Sequence, residues 1–256
     1  MPAAFAKHNL KILKILKFYW IGKNIRCNLA GLGASHSMET TEIYADLQRR
    51  LITGAFQPGC KLKPAELQGL YGRSANTVRD VLLRLSNIGL VEFENQRGFR
   101  VADVSRARLA DITRFRIILE REGASLSMQH GGVAWESQLT AAHHKLKHIE
   151  TRLNDGESIE ALINLWSDAE LGFHETLISA CGSRVLRETH AQIYVQFRQQ
   201  LVSIQPDFSY EQFQRIVKEH QAILDAALAR NAEACRKAIS KHLSWHVHAD
   251  DISSVK

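Results

Sequence analysis

With 45% hydrophobic residues in a chain of 256, the protein can bury a proper core, which excludes wholesale disorder. Its formal charge of +6 says less than it suggests: residues 1–37 hold Lys7, Lys11, Lys14, Lys17, Lys23 and Arg26 without an acid, and beyond them 27 basic side chains face 27 acidic ones. The positive balance is therefore no argument that the body of the protein binds nucleic acid. Four scattered cysteines without a C-x-x-C pair fit a reducing cytosol and argue against a thiolate metal cluster or a disulfide framework.

Residues 1–37 read as an appendage. Leu10, Leu13, Ile15, Leu16, Phe18 and Trp20 lie among lysines in a basic amphipathic pattern, whose longest apolar run is far below the ~20 residues of a membrane span. A helix on a membrane surface and a targeting segment are alternatives. The plainer reading is a disordered extension, translated from a start codon upstream of the real one at Met38.

From Thr41 to Gly54 a short helix is expected to bury Ile43, Tyr44, Leu47 and Leu51. After the Pro58–Gly59 turn, Pro64 opens a second helix over Ala65–Tyr71, closed by Gly72. Ser74 is a suitable N-cap for a third, Ala75 to Asn87, with Val78, Val81, Leu82 and Leu85 on one face and Asn76, Thr77, Arg79, Asp80 and Arg84 on the other. Leu90–Glu94 and Phe99–Val104 alternate apolar and polar residues around Asn95–Gln96–Arg97–Gly98, the pattern of a β-hairpin. Three helices and a hairpin read as a winged helix-turn-helix. Asn, Thr and Arg near the start of its third helix can reach base edges and phosphates in the major groove. The candidate DNA contacts are Ser74, Asn76, Thr77, Arg79 and Arg84, with Gln96, Arg97 and Gly98 at the hairpin tip. Winged helices also serve as protein-docking modules, and the polar, basic face favours DNA.

The run Tyr44–Gly54, then Pro58–Gly59–Cys60–Lys61–Leu62, Glu66–Leu67, Gly72–Arg73–Ser74, Val78–Arg79–Asp80–Val81–Leu82 with Leu85, and Gly89–Leu90–Val91 resembles the N-terminal half of GntR-superfamily transcriptional regulators over residues 41–104. There are two departures. Ala75 stands where that family has a DNA-contacting Arg, and Asn76–Thr77 replace its Thr-Pro; Arg79 is retained. The resemblance implies the same fold with an operator sequence of its own.

Residues 106–130, 134–153, 158–180, 183–203, 209–229 and 231–248 are expected to be helices, with breaks at Gly131–Gly132, Asn154–Gly156, Gly182, Pro206 and Asn231. The fold class is thus mainly α: a winged helix-turn-helix over 38–104, an all-helical bundle of six helices over 105–250, and a tail over 251–256. In 158–180 the residues Leu162, Leu165, Trp166, Ala169, Phe173 and Leu177 mark a buried face, and Glu170 and His174, four apart, project beside it. His220 lies on the stripe Ile216, Val217, Ile223, Leu224, Ala227, and His242 on Cys235, Ala238, Ile239, Leu243. Taken singly, each histidine is more often a satisfied core or surface residue. Taken together, one carboxylate and three inward imidazoles from three helices form a donor set suited to Zn²⁺, Ni²⁺ or a similar divalent metal. His143, His144, His148, His190, His246 and His248 fall mostly on polar faces, with His246 the one to watch as a substitute ligand.

This half resembles the FCD ligand-binding domain in its metal-binding, VanR-like form. That motif is Asp-x-x-x-His, then Glu-His, then a His 22 positions further on; the matching positions are Glu170, His174, Glu219–His220 and His242, with Glu170 in place of Asp. Arg116 lies on the inward stripe Leu109, Ile112, Leu119, Gly123. The resemblance implies an effector-binding role for it, clamping a carboxylate beside the metal; the alternative is an ordinary ion pair with Glu120. The sequence as a whole reads as a homodimeric, cytoplasmic regulator, a repressor before an activator. It would bind palindromic double-stranded operator DNA, hold zinc or another divalent metal, and respond to a small organic acid. A metal-dependent hydrolase in the bundle is the rival reading; against it, no second inward carboxylate is evident to act as a base.

Overall fold

The computed structural model describes residues 38–155, 157, 159–204 and 210–244. The expectations for residues 1–37, for the tail 251–256 and for His246 and His248 lie outside the described residues. The described chain forms two compact units. One holds the residues up to Arg108 together with 195–204; the other holds Leu109–Tyr194 and 210–244.

In the first unit, α1 (Thr40–Ile52) starts at a capping box in which the Glu39 N–H donates to the Glu42 carboxylate at 2.7 Å. It buries Ile43, Leu47 and Leu51 at four-residue steps. The next helix, α2 (Pro64–Tyr71), opens on a proline, whose missing N–H would be unpaired there anyway, and closes at Gly72 in the left-handed region, φ 61°. The Tyr71 hydroxyl and Arg50 Nε both donate to the Asp46 carboxylate at 2.7 Å, fastening α2 to α1. Helix α3 (Ala75–Asn87) is capped by Ser74, whose Oγ accepts the Thr77 N–H at 3.2 Å, and it buries Val78, Val81, Leu82 and Leu85 as its periodicity requires.

The hairpin is β2 (Val91–Glu94) with β3 (Gly98–Val101), Phe93 lying opposite Phe99. A strand not anticipated from sequence, β1 (Lys61–Leu62), pairs antiparallel with β3, giving the order β1-β3-β2. Two residues are too few to display an alternating period. The strand expected over 99–104 stops at Val101, because the Ala102 N–H turns to the Leu90 carbonyl and the Asp103 N–H to the Glu92 side chain.

Among the described residues six helices follow: α4 (Arg106–His130), α5 (Val133–Asn154), α6 (Ile159–Leu177), α7 (Arg184–Ile204), α8 (Tyr210–Leu228) and α9 (Ala232–Ser244). The last turns of α7 group with the first unit, where Gln199 and Gln200 donate to the Leu90 and Asp103 carbonyls at 2.9 Å. The core of the helical unit includes Trp135, Leu146, Trp166, Phe173, Ile223 and Ile239. Leu165 departs from expectation: it is 48% exposed, because the buried stripe of α6 runs through Leu162, Trp166, Ala169 and Phe173. That helix also ends three residues before Ala180, its Thr176 carbonyl being taken by the Trp135 indole N–H and the Ser179 hydroxyl. Gly123 is needed where α4 is crowded: a Cβ there would stand 2.8 Å from the Ile178 side chain and 3.0 Å from Leu186. Of the described cysteines, Cys181 and Cys235 are free and buried. Cys60 is not free, so the expectation of unpaired thiols fails there.

Candidate metal centre and nucleic-acid interface

Four residues from three helices meet inside the helical unit. Helix α6 supplies Glu170 and His174 one turn apart, α8 supplies His220, and α9 supplies His242. One ligand atom from each lies within 4.8 Å of the others, and all four residues are buried. Phe173 packs edge-on against the His174 and His220 rings, at centroid distances of 5.4 and 5.5 Å.

Each imidazole is held from behind by a carboxylate of its own. His174 Nδ1 is 2.8 Å from Glu120 Oε2, His220 Nδ1 is 3.1 Å from Glu150 Oε1, and His242 Nδ1 is 3.3 Å from Glu219 Oε2. Where the facing carboxylate is ionised it can only accept, so the Nδ1–H donates and Nε2 is left with its lone pair, the tautomer a metal ligand needs. Burial pushes the His174 imidazole below its ordinary range against the pull of Glu120. Burial, followed by the neighbouring His220 and His174, pushes His242 well down. Both rings are therefore neutral at pH 7. His174 Nε2 and His220 Nε2 are buried and have no hydrogen-bond partner, an expensive condition for a polar atom unless a ligand meets it. Three imidazole nitrogens and one carboxylate oxygen fit a divalent transition metal.

Glu120 is the hub of the surrounding network. Its Oε1 accepts from Arg116 Nε at 2.6 Å and faces His190 Nε2 at 3.0 Å, while Oε2 faces His174. Burial alone would raise its pKa, but Arg116 and His174 outweigh that and hold the carboxyl well below the usual range. Arg116 is fully buried. It makes the ion pair with Glu120, places Nη2 3.5 Å from Glu170 Oε1, and lies over the Tyr194 ring at 4.8 Å. The Tyr194 hydroxyl in turn donates to Glu170 Oε2.

Two expectations are corrected here. His143 and His190 do not sit on polar faces: they are 5% and 0% exposed. Further inward carboxylates do exist, since Glu120, Glu150 and Glu219 are all buried, though each already accepts from an imidazole. The signal for three of these residues, His143, Glu150 and His190, was present in the sequence as stripes at i, i+4, i+7, i+11, namely Leu139–His143–Leu146–Glu150 and His190–Tyr194–Phe197–Leu201. The polar neighbours Arg187, Glu188 and Thr189 masked the second.

In the first unit, Asn76 and Arg79 are exposed on the opening turns of α3. Ser74 and Thr77 hold each other through the cap, their hydroxyls 3.0 Å apart. Arg84 is exposed but lies over the Tyr44 ring at 4.5 Å. At the hairpin tip, Gln96 and Gly98 take positive φ angles of 69° and 78°, and Arg97 pairs with Glu94 at 2.9 Å. No helix among the described residues is long and apolar enough to cross a membrane.

Comparison with known proteins finds two family models, one after the other along the chain. A family model described as "Bacterial regulatory proteins, gntR family" matches residues 39–101, and one described as "FCD domain" matches residues 111–244. The HTH-type transcriptional regulator BphR of Paraburkholderia xenovorans is 31% identical over 77% of this chain and 79% of its own length. The HTH-type transcriptional repressor GlaR of Escherichia coli is 28% identical over 78% of this chain and 90% of its own. Among solved structures, E. coli McbR/YncC superposes with a TM-score of 0.68 at 21% identity, covering 81% of this chain and 94% of that one, which is a likeness of fold.

Proposed function

This chain belongs to the gntR family of bacterial regulatory proteins, in the form that carries an FCD domain, and from that premise we propose that its helical unit makes DNA binding depend on a divalent metal and a small organic acid. Glu170, His174, His220 and His242 hold the metal, zinc first and nickel as the alternative. A metal bound there supplies a Lewis-acidic point for one carboxylate oxygen of the acid. Arg116 supplies the guanidinium that receives the other, oriented by Glu120 and the Tyr194 ring beneath it.

Two copies of the chain read the halves of a palindromic operator through Asn76, Thr77, Arg79 and the tip residues Gln96–Gly98, with Ser74 fixing the start of α3. Repression is the favoured outcome, in line with the name borne by the E. coli relative GlaR. For the acid to regulate, it must bind one arrangement of the DNA-reading heads more tightly than another.

The observation that carries this reading is the set of three imidazoles, each fixed at Nδ1 by a separate carboxylate, with two buried Nε2 atoms lacking a hydrogen-bond partner. Elemental analysis of the purified protein tests it. Stoichiometric metal is expected in the natural chain and none in the double variant His174→Ala/His220→Ala, and full occupancy in that variant ends the reading. Screening small carboxylates for a rise in Tm, with Arg116→Lys as the control that loses the response, tests the acid.

A further inference from the structure

On the wing, Phe93 of β2 lies directly opposite Phe99 of β3, with ring centroids 4.7 Å apart. Phe99 is buried, whereas Phe93 keeps 36% of its surface exposed on a strand where Glu92 and Glu94 flank it. What sets this exposed ring apart is its neighbour. The Arg79 guanidinium carbon lies 5.5 Å from the Phe93 centroid and 5.7 Å from that of Phe99, within the ~6 Å over which a cation is drawn to an aromatic face. Arg79 is also the one cationic side chain on the first two turns of α3, Ala75 occupying the turn before it. A guanidinium resting against aromatic rings has a restricted direction, yet its N–H edge remains available to a bidentate acceptor such as the O6/N7 edge of guanine.

We propose that Phe93, backed by Phe99, is a positioning residue for DNA reading: it fixes the direction in which the Arg79 guanidinium leaves α3, so that the wing strand helps to select the base the helix reads. This is separate from the metal and acid reading and stands or falls without it. The plainer role for Phe93 is to be covered by the Arg79 stem, which would affect folding and leave discrimination alone.

The test uses the full-length protein and a duplex that it recovers from a random-sequence library, with fluorescence anisotropy on that duplex, on its single-base variants and on an unselected duplex. Phe93→Ala and Phe93→Leu are each expected to weaken the recovered duplex by about 3- to 10-fold, while Phe93→Tyr keeps wild-type affinity and binding to the unselected duplex is unchanged. The base positions at which Phe93→Ala loses discrimination should be those at which Arg79→Ala loses it. In an Arg79→Ala background, Phe93→Ala should add nothing. The proposal is overturned if the leucine variant, which preserves apolar bulk and so the fold, matches wild type in affinity and discrimination. It is equally overturned if Phe93→Ala costs as much in the Arg79→Ala background as in the natural one.

Discussion

Between Met38 and Arg108 the buried side chains are hydrophobic, and the buried polar side chains of the first unit, Arg198, Gln199 and Gln200, all come from its segment of α7. The helical unit does the opposite at its centre, burying Arg116, Glu120, Glu150, His174, His190, His220 and His242. The contrast follows from what each unit must meet. A helix that enters a DNA groove meets its partner in water, so its polar groups cost nothing to display and the fold beneath can be purely apolar. On the function proposed above, a helical unit that encloses a small ion must place polar groups where water is absent, and each is tolerable only when another group satisfies it. One unit should therefore tolerate loss of its functional side chains, while the other should come apart.

The sharpest way to break that contrast is Glu120→Ala. It removes the one acceptor shared by Arg116, His174 and His190 and leaves a buried cation without its closest partner, an effect of about 3–5 kcal/mol. Urea unfolding followed by tryptophan fluorescence, to which Trp135 and Trp166 of the helical unit contribute, should show the midpoint fall steeply; an unchanged midpoint would mean the network adds nothing to the fold.

A smaller effect is expected from pH in chelator-treated protein. Burial holds the His174 and His242 imidazoles below their ordinary value of 6.5 in the folded state. As pH drops below 6.5 the unfolded chain therefore takes up protons that the folded chain refuses, and stability falls by about 1.4 kcal/mol per pH unit for each such proton. Above 6.5 the two residues contribute no slope. Glu120, held well below 4.5, acts in the same direction only below 4.5. Urea midpoints that are level between pH 7.5 and 5.5 would contradict this account.

The smallest effect belongs to the first unit. Ser74→Ala removes the oxygen that accepts the Thr77 N–H and should cost about 1 kcal/mol, read as a lower Tm and faster amide exchange at Thr77, with metal content untouched.

How much of this was legible in the sequence depended on the kind of order involved. The four inward donors could be read because each sits at a helical step that periodicity reveals: Glu170 and His174 one turn apart, His220 and His242 on apolar stripes. Helix limits were legible too, where Ser74, Pro64 and Gly72 act on their immediate neighbours. Leu165 was misplaced because one residue's rotation on a helix carries a side chain from the edge of a stripe into solvent. The two-residue strand Lys61–Leu62 was missed because its register with β3 is a contact across 38 or so positions, on the order of the separations that local patterns never encode.

The amino-acid order by itself determined the winged head, the run of six helices and the inward aim of Glu170, His174, His220 and His242, since all of these follow from interactions spanning a few residues. Only the tertiary structure decided that Glu120, Glu150 and Glu219 stand behind the imidazoles, across separations of 54, 70 and 23 positions, and that His190 shares Glu120 with Arg116. A buried carboxylate and an exposed one look alike along a chain. Packing alone settles which of them loses its water and must find a proton donor in its place.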